Sequence, residues 1–424
     1  MQISGVPPLT TLAWQDKTHS SSSASLSNPV MFLHQAELDH SLLFYMGATV
    51  LYGGTIFYRA KKNRVEKAPP FRWGLLLLLT LEVLCFATLR SSLGLALFSL
   101  ACLVFCLYTP AQAMLPVGGK AVLITGTDCG IGHELAKHLD SLGFTVFAGA
   151  LNASGPGARK LKEASSERLS ILQLDITSSA QIQEAYLEIR RKLQQGELWA
   201  VINNAGILGF IADGELLPMS SYKQCMEVNF FGPVEISKVF LPLLRKSKGR
   251  IINVSSMAGG IPMPRFAAYG ASKAALSMFS GVMRQELSMW GIKVSVLHPS
   301  GFKTSIGGNP EDWKKEEQMI MDGLAPDVKK DYGEDYIHNL RMFFGNMDTI
   351  SSSDFSPLFV DVLHALLAEQ PKGLYTPGKN SYTFLLVFCY FPLRFYDFLM
   401  SKIMGSPHVP YALRTAEGKK QLVN

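Results

Sequence analysis

Charge is scarce in this chain: of 424 residues only 17% are Asp, Glu, Lys or Arg, and the net charge is +6. The net charge does not form a nucleic-acid-like basic block and no basic–aromatic interleaving runs through the sequence, so nucleic acid is not an expected partner. Cysteine is no more informative as a scaffold. The six are Cys85, Cys102, Cys106, Cys129, Cys225 and Cys389. None pairs as CxxC and three lie in or beside apolar segments, which fits neither a disulfide framework nor a zinc site; no metal is expected. Reduced thiols suit a core facing the cytosol. Cys129 and Cys225 read as small packed residues.

Apolar residues, by contrast, make up 48% of the chain. Residues 1–40 carry the run SSSAS and read as a disordered segment, with Met31 a possible alternative start. Residues 41–115 read as a membrane anchor of one to three transmembrane helices. Ser41 to Tyr58 is uncharged, and GLLLLLTLEVLCF and LALFSLACLVFCLY are apolar on all faces rather than along one stripe. Arg59, Lys61, Lys62, Arg64 and Lys67 sit between them and belong on the cytoplasmic side. That orientation puts the catalytic domain in the cytosol. The N-x-S sequons at Asn152 and Asn253 are expected to report on it.

From Lys120 the periodicity changes. KAVLITG, TVFAGAL, RLSILQLD, LWAVINNAG, GRIINVSS and IKVSVLHPSG are short apolar runs separated by helical stretches. Buried parallel strands read this way. The expected fold class is α/β, a doubly wound parallel sheet (Rossmann-like) with N-terminal transmembrane helices, its core spanning 116–300. A ligand crevice is expected at the carboxyl ends of the strands. The first run ends in TGTDCGIG, with Gly126, Gly130 and Gly132 spaced for a tight turn and close approach to a pyrophosphate. Asp128 and Ile131 lie in the same loop, which opens a helix whose amino terminus would face phosphates. Between Phe144 and Pro156 there is neither acid nor base; Asn152 is the nearest polar candidate. With no early base to pair a 2′-phosphate and Asp128 placed to repel one, NAD is favoured over NADP.

The stretch YGASK sets Tyr269 and Lys273 four apart, on one face of a helix. An ammonium beneath a phenol would lower the phenol's pKa and make a base usable near neutral pH. TGTDCGIG, Asn203-Asn204-Ala205-Gly206, Ser256 and YGASK, in this order and with Tyr269 thirteen residues after Ser256, resemble a short-chain dehydrogenase/reductase. Asn229 in EVNFFG matches that family's fourth catalytic position. The resemblance implies that Tyr269 takes the proton of a substrate hydroxyl and Ser256 holds the substrate oxygen. It also implies that Lys273 tunes the tyrosine and binds the nicotinamide ribose, while Asn229 holds a water leading to solvent. It assigns Asp175 to the adenine, Asn203 and Ala205 to the ribose region, and Pro299 and Thr304 to the nicotinamide end. Ser300 departs from the pattern, which more often has glycine after Pro299.

The phrases DSLGFTVFAGALN, LWAVINNAGILGF, CMEVNFFGPVEISK and LPLLRKSKGR, and the long tail with YTPGK, resemble the steroid-oxidising members of that family. They imply a steroid alcohol substrate, the C17 hydroxyl of an estrogen or androgen, with an 11β-hydroxysteroid or retinol as neighbouring alternatives. A catalytically silent membrane-bound scaffold is the reading of another class. Residues 301–380 read as a substrate-binding lid and the end of the core, the lid being rich in Met, Ile and Leu at helical spacing. Residues 381–424 read as a membrane-interfacial tail. Membrane lipid is therefore an expected partner, the endoplasmic reticulum membrane the expected location, and a homodimer through the helices of Asn229 and Tyr269 what the family suggests.

Overall fold

The computed structural model describes residues 43–58, 69–89, 92–108, 114–194, 196–340, 351–405 and 408–414. The expectations for residues 1–40, the basic cluster at 59–67 and the end of the tail lie outside them. The chain divides into two compact units, Met1–Ala111 and Gln112–Asn424. The boundary falls a few residues before the expected one.

In the first unit, residues 43–58, Pro69–Leu89 and Ser92–Tyr108 are helical. Ile56, Leu78, Phe98 and Cys102 form a small core, with the Tyr45 ring edge-on to Phe86. Glu82, the one acid in the apolar runs, accepts a hydrogen bond from the Thr49 hydroxyl. Much of the apolar surface still points outward, Leu77 and Val83 included. Among the described residues, no helix is long and apolar enough to cross a membrane. The expected one to three spans are not found there. A 17-residue helix such as Ser92–Tyr108 rises about 26 Å, short of a hydrocarbon core of about 30 Å.

The second unit is built on a seven-stranded sheet in the order β3-β2-β1-β4-β5-β6-β7, with every pair parallel. The strands are β1 Ala121–Thr125, β2 Thr145–Ala150, β3 Leu169–Gln173, β4 Leu198–Asn203, β5 Arg250–Val254, β6 Lys293–Leu297 and β7 Leu374–Tyr375. The first six coincide with the apolar runs; β7 has only two residues and carries no periodic signal. β1 and β5 are buried along their whole length, because helices cover both faces of the sheet. On one face Leu135, Leu139 and Leu161 pack with Leu358, Val362 and Ala365 of the helix Ser356–Leu367. On the other, Ile182 and Ile189 pack with Ile236, Phe240 and Leu244 of the helix Gly232–Ser247.

Strand order reverses between β1 and β4, the point at which such sheets open a crevice at the carboxyl edge. The tail is not detached from this unit. It forms the helices Ser381–Tyr390 and Leu393–Met404, which pack Tyr396 and Met400 against Ile261, Met257 and Met263 beside the end of β5. The Tyr396 hydroxyl donates to the Pro262 carbonyl at 2.6 Å, and the Ser381 hydroxyl to the His298 carbonyl at 2.8 Å.

Candidate active site

β5 runs out at Val254, and the chain turns through Ser255 and Ser256 into a short helical turn, Met257–Gly259. Ser256 caps that turn by accepting from the Ala258 N–H at 3.2 Å. The helix Ala267–Glu286 lies alongside, and its Ala/Ser spacing lets it press closely on the strand ends: Ala268, Ser272, Leu276 and Ser280 are all buried. Tyr269 and Lys273 follow one another on it by one turn. The helix ending at Met226 passes into a π-helical turn, Glu227–Phe231, which carries Asn229 inward. Such one-residue insertions recur at functional sites because they redirect a side chain without breaking the helix.

Asn229 is fully buried and its amide is committed. Its Oδ1 accepts from the Ile207 N–H at 2.8 Å, and its Nδ2 donates to the Ile207 carbonyl at 2.9 Å and to the Ser272 hydroxyl at 3.0 Å. The side chain therefore pins the loop after β4 to the tyrosine helix. Only the second lone pair of Oδ1 is left for a water. A β-carbon on Gly206 would stand 3.0 Å from both Asn229 Oδ1 and Lys273 Nζ, so the bare glycine is what lets these two groups approach.

The electrostatics correct one expectation. Lys273 donates from Nζ to the Val254 carbonyl at 2.9 Å and lies 5.9 Å from the centroid of the Tyr269 ring. At the phenol its charge is outweighed by burial. Burial pushes the Tyr269 phenol up to about 12, the Ser256 hydroxyl pulling the other way, and burial brings the Lys273 ammonium down to about 8. The spacing places both groups on one face, but the ammonium's hydrogen bond turns it toward the strand.

Behind these residues runs a buried polar chain. The Ser255 hydroxyl donates to the Lys273 carbonyl at 2.8 Å and meets the Ser277 hydroxyl at 2.9 Å, and Ser277 meets His298 Nε2 at 2.9 Å. His298 is held near 4 by burial and stays neutral. It serves as packing and register for the helix, as its place beside Pro299 suggests.

The glycine loop lies at the end of β1, across β4 from this cluster. Gly126 and Gly130 have φ of 69° and 60°, values that favour glycine. A β-carbon on Gly132 would come within 2.2 Å of the Gly126 carbonyl oxygen. The helix Gly130–Ser141 starts at Cys129 with no side-chain cap and no acid in its first turn, which leaves backbone N–H groups for a phosphate. Cys129 is exposed there, not packed, whereas Cys225 is buried as expected. Ile131 packs partly against the core behind the loop, and Thr304 lies against Gly130.

Asp128 folds over to the end of β2. Its two oxygens accept from the Leu151 N–H at 2.8 Å and the Asn152 N–H at 3.0 Å. A carboxylate thus stands where the ribose of a dinucleotide would emerge from this strand, which fits NAD and opposes a 2′-phosphate.

Asn203, Asp175 and Asn253 each make hydrogen bonds within the protein. The Asn203 side chain turns into the core and donates to Asn253 Oδ1 at 2.8 Å and to Ser237 at 3.1 Å. Asp175 uses Oδ1 to accept from the Thr177 N–H and hydroxyl, capping the turn before the helix Ser179–Leu193. Asn253 is fully buried and donates to Ser280, so of the two sequons only Asn152, which is exposed, can carry a glycan on the folded protein.

Asn204, passed over between Asn203 and Ala205, is a structural key. Its Nδ2 donates to the Thr125 and Gly126 carbonyls at 2.9 and 3.0 Å. Thr125 Oγ1 in turn accepts from the N–H groups of Asn204 and Ala205. Two adjacent asparagines at a strand end were the available signal. At Ser300, a β-carbon on the neighbouring Gly378 (φ 98°) would stand 2.0 Å from the serine oxygen, so the serine's bulk is taken up by that glycine.

The expected lid consists of the helices Pro310–Gly323 and Pro326–Tyr332 and helical residues 334–340; its continuation at 341–350 lies outside the described residues. Ile320, Tyr336, Ile337 and Leu340 form one cluster with Phe210, Ile211, Leu216 and Phe266, and the Tyr269 ring packs against it. Tyr336 donates to Asp213 at 2.7 Å and Tyr332 to Glu215 at 3.0 Å, fastening the lid to the loop after β4. A separate surface cavity of about 430 Å³ lies along the outer edge of β3, between Arg159, Lys162, Leu169 and Lys192, away from Tyr269.

Comparison with known proteins places these features. Residues 120–315 match the family model for short chain dehydrogenases. The chain is 51% identical over 369 residues to the 17-beta-hydroxysteroid dehydrogenase type 2 of Homo sapiens, covering 87% of this chain and 94% of that protein. It is 47% identical to the estradiol 17-beta-dehydrogenase 2 of Rattus norvegicus, covering 87% and 96%. To the 11-beta-hydroxysteroid dehydrogenase type 2 of Bos taurus it is 41% identical over 303 residues, covering 72% and 75%. Among solved structures, a short chain dehydrogenase/reductase from Burkholderia phymatum in complex with NAD superposes with a TM-score of 0.54 at 18% identity, covering 70% of this chain and 99% of that one. That likeness shows the fold alone.

Proposed function

The chain belongs to the short-chain dehydrogenase family, and on that premise we propose that it oxidises the 17β-hydroxyl of estrogens and androgens, estradiol to estrone and testosterone to androstenedione, with NAD. The observation that carries the reading is the convergence of Ser256, Tyr269 and Lys273 at the end of β5, beneath an apolar lid. Aliphatic and aromatic walls with a few polar groups at one end suit a flat apolar alcohol.

Ser256 holds the carbinol oxygen and Tyr269 takes its proton. Lys273, largely protonated at neutral pH with its pKa near 8, is the charge that supports the phenolate as it forms. Asn229 keeps the loop and helix in register around them. Gly126, Gly130, Ile131, Gly132, Ala205, Pro299 and Thr304 line the dinucleotide side, and Asp128 with Asn152 disfavours a 2′-phosphate. When bound, NAD supplies the hydride acceptor; the protein orients the partners.

The three apolar helices of the first unit and the aromatic outer face of the tail, Tyr390, Phe391 and Phe398 among them, attach the enzyme to the endoplasmic reticulum membrane, with the catalytic unit in the cytosol. Absence of glycan at Asn152 in microsomes is the expected result, and glycosylation there would reverse the orientation. Exposed Met278 and Val282 on the tyrosine helix supply a face for a homodimer.

The deciding experiment adds estradiol, testosterone or cortisol to microsomes holding the protein, with NAD or NADP, and follows ketone formation. Fast oxidation of the first two with NAD is expected. Oxidation of cortisol alone would move the chain to the 11β branch.

A further inference from the structure

One charged group near the site is unused by the reading above. Glu316 lies on the lid helix Pro310–Gly323, one turn after Trp313 and one turn before Ile320. Those two belong to the apolar cluster against which the Tyr269 ring packs, so this stretch of the helix faces the site. Lys314, Lys315 and Gln318 are exposed on the other side. Glu317 is accounted for, since it accepts from His338 Nδ1 at 2.9 Å. Glu316 is half-buried and makes no hydrogen bond or ion pair among the described residues. Its carboxylate and the Lys273 ammonium act with opposite sign on one thiol, that of Cys225, which sits in the same cluster as Tyr269. Burial, helped by Asp312, holds its carboxyl above the usual range.

A partly desolvated carboxylate without a donor is costly, and a donor brought by a ligand relieves that cost. We infer that Glu316 reads the far end of the substrate: with the reacting hydroxyl at Ser256 and Tyr269, a flat apolar alcohol laid under the lid offers a second hydroxyl to this carboxylate, which accepts its hydrogen bond. A substrate with a hydroxyl at its far end is then bound ahead of the same skeleton with no oxygen there. This rests on the proposed function and assigns a specificity residue within it.

The test compares wild type, Glu316→Leu and Glu316→Gln on estradiol and on its 3-deoxy analogue with NAD, with thermal melts to confirm folding. The expected result is that the ratio of kcat/KM for estradiol over the deoxy analogue falls about 10- to 100-fold in Glu316→Leu. Glu316→Gln, whose amide oxygen still accepts, keeps most of it. A ratio unmoved in Glu316→Leu, whether both rates fall together or neither does, overturns the inference and leaves the 17β reading standing. If wild type oxidises neither alcohol, the 17β reading itself fails and takes this assignment with it.

Discussion

Along the carboxyl edge of the sheet, the cofactor side and the substrate side are held by different forces. Beside β1 and β2, side chains clasp backbone: Asp128 takes two N–H groups at the end of β2, Thr125 takes two from the loop after β4, and Asn204 gives two back to the glycine loop. Beside β5 the wall is apolar packing, Ile211, Leu216, Phe266, Ile320 and Ile337, tied at its rim by two tyrosine–carboxylate bonds. Hydrogen bonds are directional and fix a backbone to within tenths of an ångström. Packing is not directional and accepts any surface of the right bulk. One side is built for an invariant phosphate and ribose, the other for a shape.

Tyr269→Phe strikes the seam between the two and carries the largest expected effect. Turnover should fall at least ~10³-fold with dinucleotide affinity kept, as measured by titration against NAD. Full turnover in that variant would remove the tyrosine from the mechanism.

A paired experiment separates the sides. Ile337→Ala, at a fully buried lid position, should cost about 2–5 kcal/mol in a denaturant melt if the lid unfolds with the core, and should raise KM for steroid more than for NAD. Thr125→Val keeps the shape but orphans two N–H groups. It should cost about 1–3 kcal/mol and raise KM for NAD more than for steroid. If both variants shift the same KM, the division of labour is wrong.

The pH profile comes next. With the phenol near 12 and the ammonium near 8, the product of phenolate and ammonium fractions grows about tenfold per pH unit up to pH 8 and is flat above it. Log kcat/KM for oxidation should therefore rise with unit slope and level off near pH 8. A profile already flat at pH 6 would mean that the phenol is ionised far more easily than its burial allows. The smallest effect belongs to Tyr396→Phe, which loses one hydrogen bond to Pro262, about 0.5–1.5 kcal/mol, and should touch only the substrate side.

The same division decides what could be read from the sequence. The cofactor side was legible because unusual backbone demands particular residues. Gly126 and Gly130 adopt positive φ, and Gly132 has no room for a β-carbon. The substrate side was legible only as a composition. Methionine, isoleucine and leucine at helical spacing announce an apolar face but not its neighbours, and nothing in the sequence pairs Tyr336 with Asp213. The YGASK spacing located two catalytic candidates on one face, yet the direction of the Lys273 ammonium depends on Val254, distant in the chain. That the Asn203 side chain bonds in the core to Asn253 is set by the register of β4 against β5, which the sequence does not show. Helices apolar all round were read as spans; among the described residues none is long and apolar enough to cross, and much of their apolar surface stays exposed.

The clasp of the tail has a consequence in time. Tyr396 is synthesised well over a hundred residues after Tyr269. At about 5–20 residues per second, the loop that follows Ser256 waits roughly 6–25 s for its last support to be made. The sheet's first strands can already have paired by then. A ribosome carrying this chain therefore holds a formed dinucleotide crevice beside an unfinished substrate wall, and the enzyme becomes competent to discriminate only when the tail docks.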